Sequence, residues 1–128
     1  SAMEDIRACE ELQELLLLDG SQLPVVLFNG PICTTAGLYR VTDIDVDEAR
    51  LLISIYGFES AVGHEASAQV FSNILETDVP MNRIEYVQKV GQKAIALKLK
   101  IRPEEGRILS ASEMFQIGFV LQLMERLE

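Results

Sequence analysis

One segment constrains the fold of this chain more than any other, because its side chains alternate between apolar and charged near its end. It runs from Lys93 to Ile101 and continues into Arg102. The apolar set is Ile95, Leu97, Leu99 and Ile101, and the basic set is Lys98, Lys100 and Arg102. Successive side chains of a β-strand point to opposite faces, so this pattern predicts a strand with one apolar face. Such a strand belongs in a sheet whose apolar face is covered by other elements.

The rest of the chain predicts strands and helices in mixed order. Apolar runs and alternation predict further strands at 24–28, 38–44, 83–89 and 119–123. Helical spacing and capping residues predict helices at 4–18, from Asp45 or Asp47 to about Ile53, at 64–75, and from a Ser112 cap to Ile117. Val90-Gly91-Gln92 is expected to join 83–89 to 93–101 as a hairpin. A helix reaching Leu127 is the alternative to the last strand. The sequence therefore predicts an α/β (α+β) fold, with a single mixed sheet of about five strands flanked by helices.

The chain divides into three parts. Residues 1–3 look like a protease-cleavage scar with a start methionine, and 24–128 form the expected domain. Between them, 4–22 is expected to be an acidic amphipathic helical extension. Its apolar stripe is Ile6, Leu12, Leu15 and Leu16. We expect this helix to be an appendage to the domain or part of an interface.

Composition excludes several classes of function. The net charge of −9 disfavours binding to long nucleic acid, because phosphate neutralisation needs surplus basic residues. No apolar run approaches the length of about 18 residues that a membrane span needs. Acidic Glu4 and Asp5 stand where a secretory leader would be basic, so a cytoplasmic protein without a membrane partner is expected. Cys9 and Cys33 are far apart and lack metal-ligand spacing, so we expect reduced thiols, no metal site and no cofactor.

The charge is unevenly distributed. Residues 83–107 carry seven basic side chains against three acidic ones, whereas 4–19 carry one basic against six acidic. A locally basic stretch in an acidic protein suits a small anionic ligand. A solvated strand face that balances the acidic helix is the alternative interpretation.

Two positions are candidates for anion binding. His64 follows Gly63 at a predicted helix start, where backbone N–H groups favour a phosphate beside the imidazole. Asn29-Gly30 follows the first strand, and glycine there would let a ligand approach the backbone. The alternatives are a helix-start histidine that satisfies backbone or solvent, and an ordinary turn.

Charged side chains supply further candidates. Arg83 and Arg102 each lie at the end of a predicted strand, and arginine can hold phosphate with two parallel hydrogen bonds. Glu105 lies in a predicted loop and could orient a histidine. For all three residues, an ordinary solvated surface charge is the alternative.

Five short motifs occur in a fixed order along the chain. They are Leu27-Phe28-Asn29-Gly30, Ser60-Ala61-Val62-Gly63-His64-Glu65, Pro80-Met81-Asn82-Arg83-Ile84-Glu85, Gly91-Gln92-Lys93-Ala94 and Arg102-Pro103-Glu104-Glu105-Gly106-Arg107-Ile108-Leu109-Ser110. With these motifs, residues 24–128 resemble the viral type III anti-CRISPR ring nucleases and their bacterial relatives. The resemblance implies a homodimer that binds cyclic tetra-adenylate across its interface, beneath closing loops. It also implies metal-independent cleavage of that ring, which would remove the signal that activates CRISPR ancillary nucleases.

The resemblance also assigns roles to residues. His64 is the expected general acid, and Glu105 is a catalytic or histidine-orienting carboxylate. The expected substrate-binding residues are Asn29, Gly30, Thr34, Gly63, Arg83, Lys98 and Arg102. Relatives often place a serine or a further asparagine in the loop after Asn29, so Thr34 would replace that donor here. In the expected reaction, a ribose 2′-OH attacks the adjacent phosphorus and the 5′-oxygen leaves, giving a 2′,3′-cyclic phosphate end.

Three alternatives remain at the level of sequence. A sponge would sequester a cyclic oligonucleotide without cutting it, and a related enzyme would cleave a ring of a different size. A protein-interaction module would use the acidic N-terminal helix to dock a basic partner.

Overall fold

A computed structural model describes residues 21–128 as one mixed sheet with three helices. The strands are β1 (Val25–Phe28), β2 (Tyr39–Ile44), β3 (Phe58–Ala61), β4 (Lys93–Leu99) and β5 (Phe119–Arg126). The helices are α1 (Val46–Tyr56), α2 (Glu65–Leu75) and α3 (Ala111–Ile117). The helix expected at 4–18 lies outside the described residues.

The sheet has the strand order β2-β5-β4-β1-β3. β1 pairs in parallel with both β3 and β4, with Leu27 opposite Ser60 on one side and Ile95 on the other. β5 runs antiparallel to β4 and to β2. The expected α+β class and the single mixed five-stranded sheet are thus confirmed. Because β1, β3 and β4 are parallel, their carboxyl ends meet at one edge of the sheet.

One face of the sheet carries the main core. Alternation along the strands brings Val25, Leu27, Ile95, Leu97 and Leu121 to the same side, where helix residues such as Ala68, Phe71 and Met114 pack on them. Asp45 caps α1: its Oδ1 accepts from the Glu48 backbone N–H at 2.7 Å, as the acidic residues at this position predict. The helices therefore cover one face only.

Part of the other face is covered by residues 80–92, which we call the strap. Tyr86 packs on a second core of Val26, Phe28, Ala61, Ala94, Ala96 and Met124. Gln88 and Gln92 are buried beside it. Gln88 Nε2 donates to the carbonyls of Gln92 (2.6 Å) and Met124 (2.8 Å), and Gln92 Nε2 donates to the Pro24 carbonyl at 2.9 Å. These bonds fasten the strap across the sheet.

The prediction of a strand at 83–89 and of a hairpin with 93–101 was wrong. Residues 83–89 form no ladder, and β4 pairs instead with β1 and β5. The alternation in 83–89 has another cause, since an extended strap points Tyr86 and Gln88 toward the sheet and Val87 and Lys89 toward solvent.

Two further boundaries differ from expectation. β3 was not predicted, because its four residues FESA form a short edge strand without an apolar run. Ser110, and not Ser112, caps α3: its Oγ accepts from the Glu113 N–H, while the Glu113 carboxylate accepts from the Ser110 N–H. The segment after Gly118 is a strand, as the alternation there predicts, and the helical alternative was wrong.

Residues 21–128 contain no helix with the length and apolar character that crossing a membrane would require.

Candidate functional site

A cleft opens at the edge where the parallel strands end. Its volume is about 560 Å³. Asn29 follows β1, His64 begins α2, and Leu99 ends β4, so three neighbouring chain segments contribute to its wall. Loop residues before α3 close the other side. In sheets with parallel strands, this edge is where ligands usually bind.

Asn29, Gly63 and Arg83 lie together beside this cleft. Asn29 Oδ1 accepts a hydrogen bond from the Gly63 backbone N–H at 3.1 Å. A Cβ placed on Gly63 would lie 3.7 Å from Arg83 Cγ, Arg83 Nε and Asn29 Oδ1. The backbone at Gly63 is therefore flanked by an amide side chain and a guanidinium.

Arg83 reaches this position because the strap is pinned to the end of β3. Asn82 Nδ2 donates to the Ser60 carbonyl at 2.8 Å, and the Asn82 N–H donates to the Val62 carbonyl at 2.8 Å. Ser60 Oγ donates to the Pro80 carbonyl at 2.6 Å. The guanidinium itself is exposed and has no hydrogen-bond or ion-pair partner within residues 21–128, so it is available to an anion.

His64 occupies the cap position of α2. Its backbone is extended (φ −130°, ψ 133°), and its carbonyl accepts the first helical bond from the Ala68 N–H at 3.1 Å. The imidazole makes no capping bond and is exposed on the cleft wall. The chain thus places an uncommitted imidazole beside helix N–H groups that carry partial positive charge.

The loop before α3 brings a second guanidinium to the cleft. Arg107 Nη2 donates to Glu113 Oε2, and both Arg107 and Ser110 line the cleft. The pKa of Glu113 lies below its ordinary value, because its carboxylate accepts from the Ser110 backbone N–H and from Arg107. The Glu113 carboxylate therefore holds both the start of α3 and the position of Arg107.

The structure brings together only part of the predicted set. Asn29 and His64 line the cleft, and Gly63 and Arg83 border it. Glu105 and Arg102 are exposed on the loop between β4 and α3 and do not line the cleft. Thr34 is likewise exposed and outside it.

Gly30 and Lys98 also lie apart from the cleft wall. A Cβ on Gly30 would meet nothing within 4 Å among the described residues, so no packing in this part of the chain requires glycine there. Lys98 is exposed on the sheet face opposite the helices, with Val120 as its partner in β5. A ligand contacting these residues must therefore extend beyond the cleft.

Sequence reasoning missed three residues that shape the site. Ser60 and Asn82 fix the strap, and Arg107 adds a charge to the cleft. Asn82 is next to Arg83 in its motif, and Arg107 is five residues after Arg102 in another. The spacing of these residues does not predict the hydrogen bonds that they make.

The described residues contain no group of three or more histidine, cysteine, aspartate or glutamate side chains that could hold a metal ion. Cys33 is an exposed thiol.

Comparison with viral proteins places the chain in a family. A sequence model of the STIV B116-like family matches residues 25–121. The chain is 39% identical over 84 residues to uncharacterized protein 26 of Sulfolobus islandicus filamentous virus (isolate Iceland/Hveragerdi), covering 65% of this chain and 71% of that protein. It is 37% identical over 93 residues to uncharacterized protein ORF117 of Acidianus two-tailed virus, covering 70% of this chain and 80% of that protein.

The fold is also that of a solved viral structure. Protein B116 of Sulfolobus turreted icosahedral virus superposes with a TM-score of 0.60 at 20% identity, covering 80% of this chain and 99% of that one. This likeness shows the fold, whereas the family model and the two sequence matches show the family. The chain belongs to the STIV B116-like family, whose members include proteins of archaeal viruses.

Proposed function

We propose that this protein is a ring nuclease that binds cyclic tetra-adenylate and cleaves it without a metal ion. Acting in the host cytoplasm, it would switch off type III CRISPR signalling by destroying the messenger. One observation carries the proposal: residues from three of the five motifs meet at one edge of the sheet, where Asn29 and Arg83 flank Gly63, the residue before the exposed His64.

The proposed reaction is an internal transesterification. A ribose 2′-oxygen bonds to the adjacent phosphorus, the bond from phosphorus to the 5′-oxygen breaks, and the 2′-OH proton is released. The protonated imidazole of His64 donates a proton to the departing 5′-oxygen. Each cut yields one 2′,3′-cyclic phosphate and one 5′-OH, and no water is consumed. General acid catalysis of this kind contributes about 10²- to 10⁴-fold in rate.

Positive groups around His64 suit the charge that develops on phosphorus. Arg83 is exposed beside Gly63 without an ionic partner in the described chain, so a phosphoryl oxygen meets no competing carboxylate there. The amide of Asn29 keeps two N–H donors for the ligand, because its Oδ1 is the atom that contacts Gly63. The N-terminal end of α2 adds a favourable potential for the same phosphate.

Residues outside the cleft take roles that depend on the extent of the ring. Four phosphates span more than one binding position, so Arg102 and Lys98 would contact phosphates away from the scissile one, with Gly30 and Thr34 near the first loop. Glu105 lies on an exposed turn of the loop between β4 and α3. The proposal gives it a role toward His64 only once that loop has moved over the bound ring.

We further propose that two copies of the chain share one ring. A ring with two-fold symmetry fits a two-fold dimer in which each subunit supplies one His64 and one Arg83. The strap supports this, because three of its large apolar side chains, Met81, Ile84 and Val87, are about half exposed in the single chain. A partner covering the strap would bury them close to Arg83.

The proposed function is tested by changing the ring and leaving the protein unchanged. Labelled cyclic tetra-adenylate and a ring with all four 2′-hydroxyls methylated are each incubated with the protein in EDTA. The products are separated and their ends identified by mass spectrometry. The proposal predicts linear products with 2′,3′-cyclic phosphate from the first ring and none from the second, although both rings bind.

Three other results would contradict the proposal in distinct ways. Tight binding with no product would identify a sponge. Equal cleavage of both rings would exclude attack by the 2′-OH. Absence of binding would mean that the ligand is a different ring or a different molecule.

The dimer is tested separately by sedimentation at several protein concentrations. We expect twice the chain mass for the parent and the single-chain mass for Val87→Asp, with Ser54→Asp on exposed α1 as the control. A parent that sediments as a single chain even with the ring bound would exclude the shared site.

A further inference from the structure

The loop between β4 and α3 brings one guanidinium, that of Arg107, to the cleft wall. Arg107 lines the cleft together with His64, whereas Arg102 in the same motif is exposed outside it. Of the described residues on the cleft wall, Arg107 is the one with a permanent positive charge. The reaction proposed above gives this charge no role.

The backbone at Arg107 is anchored to the body of the domain. Two residues later, Leu109 is buried in the main core, and Ser110 then caps α3. The Arg107 N–H also donates to the Glu104 carbonyl at 3.1 Å. The chain that carries Arg107 is therefore held in place by packing as well as by hydrogen bonds.

The side chain of Arg107 is held by Glu113. Oε1 of Glu113 accepts from the backbone N–H and from Oγ of Ser110, both at 3.2 Å, and Oε2 accepts from Arg107 Nη2. The capping box thus fixes the carboxylate, and the carboxylate fixes the guanidinium. This bond uses one of the five N–H donors of Arg107, and the others have no partner within residues 21–128.

We propose that Arg107 binds a phosphate of the ring other than the scissile one, and that Glu113 is the positioning residue that holds it there. Because the ring is the ligand, this role rests on the proposed function. Arg83 lies beside Gly63, whereas Arg107 lies on the loop that closes the other side of the cleft. The two guanidinium groups therefore suit different phosphates of one ring.

Two properties of Arg107 favour phosphate as its ligand. Its planar guanidinium can donate two parallel hydrogen bonds to one phosphate. A side chain already held by a carboxylate also loses less conformational freedom when it binds than a free one does. The Arg107–Glu113 pair therefore forms a binding group that is ordered before the ring arrives.

The test uses the ring with methylated 2′-hydroxyls, which the protein is expected to bind without cutting. Its affinity is measured by calorimetric titration at several salt concentrations for the parent, Arg107→Gln and Arg107→Lys. Arg40→Gln is the matched control. Arg40 is exposed on β2 and pairs with Glu125 at 3.6 Å, so this control removes the same charge from an ion pair away from the cleft.

We expect Arg107→Gln to bind the ring about tenfold more weakly than the parent. The slope of log affinity against log salt concentration should become shallower by about 0.7, the value for one lost phosphate contact on a single strand. Arg107→Lys should keep the parent slope, because the charge remains, and Arg40→Gln should match the parent in both quantities. An Arg107→Gln protein with the affinity and the salt slope of the parent would overturn the proposal.

Glu113→Gln separates positioning from charge. Glutamine at this position also completes a capping box, so α3 stays capped. Loss of a negative charge near the cleft would by itself strengthen binding of an anionic ring. If Glu113 positions Arg107, binding instead weakens by about threefold to tenfold, and adding Glu113→Gln to Arg107→Gln weakens it no further. Tighter binding by Glu113→Gln, or a further loss in the double variant, would overturn the positioning role.

Failure of the proposed function gives a different result. A parent protein that binds the ring at no salt concentration would overturn the nuclease and the role of Arg107 together. A parent that binds both rings and cleaves neither would overturn the nuclease alone, since the affinities of the variants still decide whether Arg107 contacts a phosphate.

Discussion

The Asn29 side chain accepts a hydrogen bond from the Gly63 backbone N–H, and this 3.1 Å contact joins the chain after β1 to the chain after β3. β1 and β3 are neighbours in parallel, so their carboxyl ends already lie side by side. The hydrogen bond fixes the turn that leads into His64 and α2. The backbone of His64 is therefore tied to the sheet edge rather than to a freely moving loop.

Gly63→Ala should separate stability from ligand binding. The added methyl would make ordinary van der Waals contacts of 3.7 Å, and Gly63 does not adopt positive φ, so the free energy of unfolding should stay within about 1 kcal/mol of the parent. The methyl would narrow the space between Asn29 and Arg83, and we expect about tenfold weaker binding of the ring. Calorimetric titration and denaturant unfolding measure the two effects, and unchanged affinity would remove Gly63 from the site.

Asn82→Ala should weaken binding by misplacing Arg83. It removes the 2.8 Å hydrogen bond to the Ser60 carbonyl, which is expected to cost about 1 kcal/mol of stability. Asn73→Ala, at an exposed position on α2, is the matched control. If Asn82 acts through Arg83, then adding Asn82→Ala to Arg83→Ala should lower ring affinity no further. An additional loss in the double variant would show that Asn82 acts independently of Arg83.

Gln92→Leu should be among the most destabilising substitutions in the strap. Gln92 is fully buried, and its side chain bonds to the Pro24 carbonyl, the Tyr86 hydroxyl (2.8 Å) and the Lys89 N–H (3.0 Å). Leucine would leave all three without this partner, at a cost of about 3 kcal/mol. Denaturant unfolding measures this loss of stability for Gln92→Leu and for the control Gln116→Ala, which alters an exposed glutamine on α3. A loss no larger than that of the control would mean that other groups or water replace these bonds.

The strap shows how far the sequence could predict this fold. Alternation identifies extended backbone, but it does not reveal whether the backbone joins a ladder or crosses a sheet face. In β4 the apolar residues Ile95 and Leu97 face the helices within a ladder, whereas in the strap Tyr86 and Gln88 face the sheet with no ladder. Only the tertiary bonds of Gln88 and Gln92 distinguish the two cases. β3 was not predicted because its composition is not typical of a strand. It is a strand because it pairs with β1.

The site was predictable to a similar extent. A histidine that follows glycine at a helix start and an asparagine at a strand end are both local signals. The two residues concerned, His64 and Asn29, line the cleft. Arg83 lies beside Gly63 although twenty positions separate them along the chain, and this proximity depends on Ser60 and Asn82 fixing the strap. Such contacts depend on the folded structure, so the spacing of residues along the chain does not predict them.

Stability in acid should depend on Glu113. Its pKa in the folded protein lies below the ordinary value of 4.5, chiefly because the Ser110 backbone N–H donates to its carboxylate and also because Arg107 does. Below pH 4.5 the unfolded chain then binds this proton more readily than the folded chain, so stability falls as pH falls toward the folded pKa. Glu113→Gln should reduce this slope of the unfolding free energy between about pH 5 and pH 3 and leave the slope near pH 7 unchanged. Parallel acid slopes for the two proteins would contradict the assignment.

The central claim is that the chemistry resides at His64. The most direct measurement is the single-turnover rate of cyclic tetra-adenylate cleavage in EDTA, for the parent, for His64→Ala, and for Glu65→Ala as the neighbouring control on the same cleft wall. We predict that the His64→Ala rate falls by about 10²- to 10⁴-fold while ring affinity and the unfolding midpoint stay close to those of the parent. The Glu65→Ala rate should stay within a few-fold of the parent rate. A His64→Ala protein that cleaves the ring as fast as the parent would contradict the account.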